Sequence, residues 1–487
     1  MLEFAANQPR HEELMTSAPN SQRLQADIDL AWDSSIVPAL QHYIAIPAES
    51  PAFDPKWEEN GHIDAVVDFA RAWADERGLD GATLEVLRLP GRTPVLLLER
   101  PGERDGTILL YGHLDKQPPF TGWREGLGPW KPVLTDDGKL YGRGGADDGY
   151  AIFASVAALE ALRAQGLPLP RIVVLIEASE ESGSPDLPAH LEAMGGRLGS
   201  PDLVICLDSG AGDFDRLWMT TSLRGLVGGT LAVRVLENGV HSGDASGVVA
   251  SSFRIARALL ERIEDAETGR MKSDAFHALI PESRLDDAAR AGLVLGSGVW
   301  TKYRFAAGTG PVKADPTEMI LNRTWRPALS IVGADGLPTT ASAGNVLRPM
   351  TSLKLSLRVP PTVDAAEAER ALAALLTATP PYGAEVTWEP ERAASGWNAP
   401  ELSTWLSEAI SRASETYFGC PSAAIGEGGS IPFMGMLGER FPKAQFLITG
   451  VLGPETNAHG PNEFLHIPYA KKLTAAVADV IAAFRPG

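Results

Sequence analysis

The chain has 487 residues, 44% of them hydrophobic and 22% charged, which is the composition of a folded globular protein. This length exceeds what one hydrophobic core supports, so we expect two domains. Its 43 basic and 62 acidic residues give a net charge of −19, which disfavours nucleic acids and anionic membranes as partners. Two cysteines, no secretory signal and no apolar run near the ~20 residues that span a bilayer predict a soluble cytoplasmic protein.

Short apolar runs alternate with helical patterns in the first part of the chain. The segments "GTILLYGH" (106–113), "RIVVLIEAS" (171–179) and "DLVICLD" (202–208) are rich in Val, Ile and Leu and are typical of buried strands. Between the first two, residues 150–166 show helical periodicity and end in glycine. This order predicts an α/β domain whose mixed sheet is covered by helices.

The pattern changes near the middle of the chain. The segments "GLVGGTLAVRVL" (225–236) and "SLKLSLRV" (352–359) alternate apolar and polar residues, as half-exposed antiparallel strands do. The first pattern then returns, with another buried strand at 444–453. We predict a discontinuous α/β catalytic domain interrupted by a smaller α+β domain. The predicted boundaries are 1–216 and 394–487 for the catalytic domain and 217–393 for the inserted one.

Histidines and carboxylates follow the predicted buried strands at their carboxyl ends. His113 follows the first strand, Glu180 and Glu181 follow the second, Asp208 follows the third and His459 follows the fourth. In an open α/β sheet these loops converge on one crevice, where ligands usually bind. A mixed set of nitrogen and oxygen ligands suits Zn²⁺, and Mn²⁺ or Co²⁺ less distinctly. The sequence therefore predicts a cation site at this edge.

Two pairs of adjacent carboxylates have a simpler interpretation when each is considered alone. Asp147 and Asp148 in "GRGGADDGY" precede a helix, where acidic side chains offset the helix dipole. Glu180 and Glu181 in "EASEESGS" could lie in a solvated loop. Because like charges repel, the glutamate pair also fits a position beside a cation. The local pattern leaves both interpretations open.

Seven motifs in a fixed order narrow the interpretation. They are "GHLD", "GRGGADD", "EASEESGS", "CLDSG", "HSGD", "EGGSIP" and "NAHGPNE". Together they resemble the M20 family of metallopeptidases, and most closely its carnosinase-like, cytosolic non-specific dipeptidases. The resemblance extends from about residue 30 to residue 485. It departs where the dipeptidases usually carry Lys-Gly, here Gly149 and Tyr150, and where they often carry arginine, here Gly426.

The resemblance implies two divalent metal ions about 3.5–4 Å apart. Zinc is the first expectation, with manganese or cobalt as alternatives. Asp147 would bridge the two ions. His113 and Asp208 would complete one site, and Glu181 and His459 the other.

The resemblance also implies the reaction. Glu180 would act as general base on a metal-bridging water and pass the proton to the leaving amine. Asp115 would accept a hydrogen bond from His113 and fix its tautomer. We therefore expect hydrolysis of the amide bond of dipeptides or small peptides with a free carboxylate. The alternatives are an N-acyl-amino-acid deacylase or a carboxypeptidase of the same family, and a catalytically inactive relative that acts as a scaffold.

The inserted domain resembles the family's lid, which also forms a homodimer. His241 would reach into the active site of the partner subunit and hold the substrate carbonyl oxygen. Arg358 would contact the substrate carboxylate, with Asn345 at a neighbouring position. Gly429 and Ser430 would lie beside the same carboxylate. Strand alternation alone would place Arg358 on an exposed polar face, which is the alternative for that residue.

Overall fold

The structure is a computed structural model and describes residues 18–391, 393–429 and 432–486. Among these residues the strands are β1 (Thr83–Leu87), β2 (Val95–Arg100), β3 (Thr107–His113), β4 (Val133–Leu134), β5 (Lys139–Tyr141), β6 (Arg171–Glu177), β7 (Leu203–Cys206), β8 (Trp218–Leu223), β9 (Gly225–Arg234), β10 (Val240–His241), β11 (Ala328–Asp335), β12 (Val346–Leu347), β13 (Met350–Val359), β14 (Glu385–Pro390), β15 (Trp397–Asn398), β16 (Ala423–Glu427), β17 (Gln445–Ile448) and β18 (Phe464–His466). The α-helices are α1 (Ser21–Ala31), α2 (Val37–Ala45), α3 (Trp57–Asn60), α4 (His62–Asp75), α5 (Tyr150–Ala164), α6 (Leu187–Met194), α7 (Ser242–Ala245), α8 (Ser252–Leu260), α9 (Glu282–Leu295), α10 (Gly298–Thr301), α11 (Pro316–Thr324), α12 (Ala365–Thr377), α13 (Thr404–Phe418), α14 (Pro432–Arg440) and α15 (Ile467–Ala483). None of the helices in the described ranges combines the length and the apolar character needed to cross a bilayer.

The larger sheet is mixed and lies between two layers of helices. Its strand order is β1-β2-β6-β3-β7-β17, in which β6, β3, β7 and β17 are parallel and β2 is antiparallel to both of its neighbours, β1 and β6. Successive residues of β3 point to opposite faces. Leu110 packs into the core that contains α5 and α15, whereas Leu109 packs into the core that contains α6 and α14. The predicted helix-covered mixed sheet is confirmed.

Three neighbouring parallel strands end at the same edge of this sheet. In the register of β3 with β6, His113 lies opposite Glu177. In the register of β3 with β7, Tyr111 lies opposite Cys206. The loops that follow β3, β6 and β7 therefore start side by side, as expected for a ligand-binding edge.

The smaller sheet is antiparallel throughout, with the order β11-β13-β9-β14. One face packs against α8 and α12, which gives the sheet a core of its own. Leu231 and Leu355 contribute to this core from the sheet, and Leu259 and Leu372 contribute from the helices. The predicted α+β unit inserted into the larger domain is confirmed.

Two features of the packing bear on the predicted domain boundaries. Strand β8 lies within the predicted inserted domain, yet it pairs with β15 and β16. The helices α9 and α11 also lie within it, yet Ala288 and Ile320 are buried in the larger core. The chain between β10 and β11 thus returns to the larger core before the small sheet is complete. The boundaries at residues 217 and 393 stay a prediction.

Candidate metal centre

Three buried side chains meet at the carboxyl edge of the larger sheet. His113 is the last residue of β3, Asp147 lies in the turn before α5, and Asp208 follows β7. His113 Nε2 lies 3.5 Å from Asp147 Oδ1 and 3.8 Å from Asp208 Oδ2. One ligand atom of each residue lies within 4.8 Å of the others, so the three could hold one metal ion.

A second cluster shares Asp147 with the first. His459, in the loop between β17 and β18, places Nε2 3.0 Å from Asp147 Oδ2 and 3.2 Å from Glu181 Oε2. Asp147 therefore presents Oδ1 to His113 and Oδ2 to His459. The two clusters bring together all five residues predicted as ligands.

The donor atoms of both clusters fit divalent cations. Two imidazoles and three carboxylates form a ligand set that zinc accepts, as do manganese and cobalt. His113 Nε2 and Glu181 Oε1 are buried and have no hydrogen-bond partner within the described part of the chain. Since buried polar atoms in proteins are normally satisfied, these two atoms point to a bound cation.

Burial and neighbouring charges shift the pKa values at the centre. Burial opposes protonation of His459, but its bonds to Asp147 and Glu181 outweigh burial and raise its pKa to about 11. Burial raises the pKa of Asp208 to about 7, although the neighbouring His113 opposes this rise. Divalent cations would supply the compensating charge that keeps these groups in their ligating forms.

Gly112 permits the close approach that places Asp147 beside His113. A Cβ atom at Gly112 would lie 2.5 Å from Ala151 Cβ and 2.6 Å from Asp148 Oδ2. The same Asp148 oxygen accepts a hydrogen bond from the His113 N–H at 3.3 Å. Only glycine leaves room for the turn before α5 to dock against the end of β3.

Asp115 holds the turn that carries the two adjacent glutamates. Its Oδ1 accepts a hydrogen bond from the Glu180 N–H at 3.1 Å, and its Oδ2 accepts one from the Glu181 N–H at 2.9 Å. His113 Nδ1 lies 3.1 Å from the main-chain carbonyl oxygen of Asp115 and 3.4 Å from its Oδ1. The nearer partner of the His113 imidazole is thus the carbonyl of Asp115. The sequence did not predict that the Asp115 carboxylate accepts the N–H groups of Glu180 and Glu181.

Glu180 belongs to neither cluster but lines the same cavity of about 1090 Å³ as Asp147, Asp208 and His459. Burial raises the pKa of Glu180 well above its usual range, and the negative charge of Asp208 adds to the rise. A carboxylate beside the ligands, with an increased affinity for protons, is well placed for general acid–base chemistry.

The predicted substrate-binding residues do not all reach this cavity. Gly429 lines it, whereas Ser430 lies outside the described residues. His241 ends β10 and Asn345 directly precedes β12, the strand with which β10 pairs. The Ser242 N–H donates to the Asn345 carbonyl at 2.9 Å, and neither His241 nor Asn345 lines the cavity. Arg358 is half-buried on β13. The roles of these residues stay predictions.

Three buried charged residues near the centre were missed by the sequence analysis. Lys116 Nζ donates to the carbonyls of Tyr43 and Ile46, each at 2.7 Å. Arg143 and Glu463 form a buried ion pair at 2.6 Å. Each of the three lies in or directly beside a quoted motif. Their positions at the motifs could have drawn attention to these residues. A position in the sequence does not, however, reveal that a charged side chain is buried.

The family comparison adds to this geometry. Residues 109–483, well over half of the chain, match the model of Peptidase family M20/M25/M40. The chain belongs to this family. It is an M20 metallopeptidase, as the order of its motifs predicts.

Similar proteins support this assignment. The M20 metallopeptidase is 27% identical to the cysteinylglycine-S-conjugate dipeptidase of Corynebacterium striatum, over 87% of this chain and 91% of that protein. It is 28% identical to the Beta-Ala-His dipeptidase of Homo sapiens, over 76% of this chain and 73% of that protein. The crystal structure of human carnosine dipeptidase 1 has the same fold, with a TM-score of 0.73 and 21% identity over 96% of this chain and 99% of that one.

Proposed function

We propose that this M20 metallopeptidase hydrolyses the amide bond of dipeptides, or of small peptides with a free carboxylate. The observation that carries the proposal is the pair of ligand clusters joined by Asp147, with Glu180 beside them in one cavity. The names of the two curated relatives, both dipeptidases, favour this substrate class over N-acyl amino acids.

The centre would hold two divalent cations, with zinc as the first candidate and manganese or cobalt as alternatives. His113, Asp147 and Asp208 would bind one cation, and Asp147, Glu181 and His459 the other. When bound, the cations would lower the pKa of the attacking water and polarise the scissile carbonyl. The two oxygens of the Asp147 carboxylate each face a different histidine, which supports the shared role of that residue.

Glu180 would act as the general base. Its carboxylate lines the cavity and belongs to neither ligand cluster, so it is free to take a proton from the attacking water and deliver it to the leaving amine. Asp115 would act as a positioning residue. Its two oxygens accept the N–H groups of Glu180 and Glu181, which keeps the base and the ligand in a fixed relation.

The substrate carboxylate would lie near Gly429 and Ser430, with Arg358 as its charged partner. The exposed positions of His241 and Asn345, outside the cavity of their own subunit, support a role in the site of a partner subunit. We therefore retain a homodimer formed through the inserted domain. We also retain the cytoplasm as the proposed location, because Cys206 and Cys420 are both free thiols.

A substrate panel tests the proposed function. The purified enzyme is loaded with zinc, manganese or cobalt and assayed on unmodified dipeptides and on the matching N-acetyl amino acids. We expect the dipeptides to have the higher kcat/KM. Preference for the acetylated compounds would instead identify a deacylase, and inactivity on every compound with every metal would indicate a scaffold.

A further inference from the structure

Three arginines gather where β16 ends and the chain turns at "EGG". Arg224 is buried, and its Nε donates to the Gly428 carbonyl at 3.2 Å. A Cβ atom at Gly428 would lie 3.1 Å from Arg224 Nη2 and 3.3 Å from Arg323 Cγ, so both side chains pack against this glycine. Arg358 lies on β13, which pairs with β9, the strand that begins directly after Arg224. We call Arg224, Arg323 and Arg358 the arginine cluster.

The positive charge of the arginine cluster is not neutralised within the described part of the chain. None of its members forms an ion pair with a carboxylate there. Arg224 bonds only to main-chain carbonyls, and Arg323 Nε is buried without a hydrogen-bond partner in the described ranges. Burial and the charges of Arg358 and Arg323 together lower the pKa of Arg224 to about 10. Neighbouring cations without a counter-charge repel one another and destabilise a fold, so the cluster is better explained by an anionic ligand than by stability.

Arg323, one member of the arginine cluster, faces the same cavity as the metal centre. Arg323 and Gly429 line the cavity that also contains Glu180 and Asp208, so one small molecule can contact both ends. Glu427 lines the cavity too, and it forms no ion pair with any of the three arginines in the described structure. The α-carboxylate of a dipeptide needs one arginine, and the proposed function assigns Arg358 to it. The guanidinium group of Arg323 is then available for a second carboxylate.

We propose that Arg323 binds the side-chain carboxylate of a dipeptide whose C-terminal residue is glutamate or aspartate. This inference rests on the proposed function, because it places the α-carboxylate at Arg358. Guanidinium groups bind carboxylates through two parallel hydrogen bonds, which an amide of the same shape does not reproduce. The enzyme should therefore discriminate between glutamate and glutamine at this position.

The test compares Ala-Glu with Ala-Gln, which match in size and differ in charge. We expect the metal-loaded enzyme to have a kcat/KM at least about tenfold higher for Ala-Glu, the ratio that one charged hydrogen bond sustains. Arg323→Gln should reduce this ratio to near one, and Arg323→Lys should preserve part of it. Arg290→Gln removes the same charge from an exposed position and should leave the ratio as in the unmodified enzyme.

The outcomes separate this inference from the proposed function. Hydrolysis of Ala-Gln and Ala-Glu at equal efficiency by the unmodified enzyme would overturn the inference and leave the dipeptidase function standing. An equal loss on both substrates in Arg323→Gln would also overturn it, since the arginine would then serve the α-carboxylate that both share. Cleavage of no dipeptide would overturn both. If Arg323→Gln does not fold, the ratio of kcat/KM for Ala-Glu and Ala-Gln in the unmodified enzyme still tests whether a second carboxylate is recognised.

Discussion

The carboxylate of Glu463 lies 2.6 Å from the guanidinium group of Arg143, and both side chains are buried. Glu463 also accepts the Gly144 N–H at 2.9 Å, and Arg143 donates to the Gly460 carbonyl at 2.8 Å. One ion pair thus joins the loop before Asp147 to the loop that contains His459. These are the two segments whose side chains must meet for the second ligand cluster to form.

Removal of one partner of this ion pair should destabilise the fold. In Glu463→Ala, Arg143 stays buried without a counter-charge, so we expect the free energy of unfolding to fall by about 3–5 kcal/mol. Urea titration followed by circular dichroism measures the change. Glu391→Ala is the matched control, because Glu391 pairs with Lys354 at 2.7 Å at an exposed position and should change stability by less than about 1 kcal/mol. Equal effects of the two substitutions would contradict the prediction.

Replacement of Glu180 by glutamine should abolish catalysis without removing the metal. Glutamine keeps the shape of the side chain but does not accept the proton, so we expect kcat to fall by about 10²–10⁴-fold. Metal content, measured by mass spectrometry of the purified protein, should stay near that of the unmodified enzyme, because Glu180 belongs to neither ligand cluster. Substantial remaining activity would mean that another group is the base.

Asp147 and Asp208 should differ in how many metal ions they retain. Asp147 contributes to both clusters, whereas Asp208 contributes to one. We therefore expect Asp147→Asn to lose most of both ions and Asp208→Asn to lose mainly one. Metal analysis after dialysis against metal-free buffer measures this difference, with Asp213→Asn, outside both clusters, as the control. Equal losses in the two variants would argue against a shared aspartate.

In the proposed homodimer, His241 should act across the subunit interface. We expect His241→Ala and Glu180→Gln to be inactive separately and active when their subunits are mixed, since the mixed dimer pairs an intact Glu180 with an intact His241. Random exchange of subunits should restore about a quarter of the original activity. Half of the dimers are then mixed, and each mixed dimer has one working site out of two. Two preparations that stay inactive after unfolding and refolding together would place His241 outside the partner's site.

His190, which belongs to neither ligand cluster, should make stability depend on pH. It is buried in α6, where Nε2 lies 2.8 Å from the Thr93 carbonyl, and burial lowers its pKa below the ordinary value of 6.5. The folded state therefore prefers the neutral ring. The contribution of His190 to the free energy of unfolding is complete above pH 6.5 and is lost as pH falls through the folded-state pKa. Between about pH 7.5 and about pH 5.5, the free energy of unfolding should fall more steeply for the unmodified protein than for His190→Gln. Parallel pH profiles would contradict this.

The candidate ligands were predictable because each follows a strand with a clear apolar pattern. His113 ends a strand that the sequence predicts, and Glu181, Asp208 and His459 lie in the loops that follow three others. Parallel strands end at one edge of a sheet. Asp147 was less certain from the local pattern, since two acidic residues before a helix are common. Its position between the two histidines depends on how closely α5 packs against β3.

Other features could not be read from residue type and spacing. Alternating apolar and polar residues predict β9 and β13 as half-exposed strands. This local pattern does not reveal that α9 and α11, which lie between the two strands in the sequence, pack into the larger core. Nor does a charged residue next to a motif indicate whether it is solvated. Lys116, Arg143 and Glu463 are buried only because loops distant in sequence cover them.

By itself the sequence determined the family, the two-part fold and the side chains able to bind cations, because these follow from local apolar patterns and from motifs in a fixed order. The tertiary structure decided which atoms meet. It gave each oxygen of Asp147 a separate histidine, turned the carboxylate of Asp115 towards the glutamate turn, and packed Arg224 and Arg323 against Gly428. Such contacts join residues that are up to several hundred positions apart, and their distances are set by packing of the whole chain rather than by any local preference.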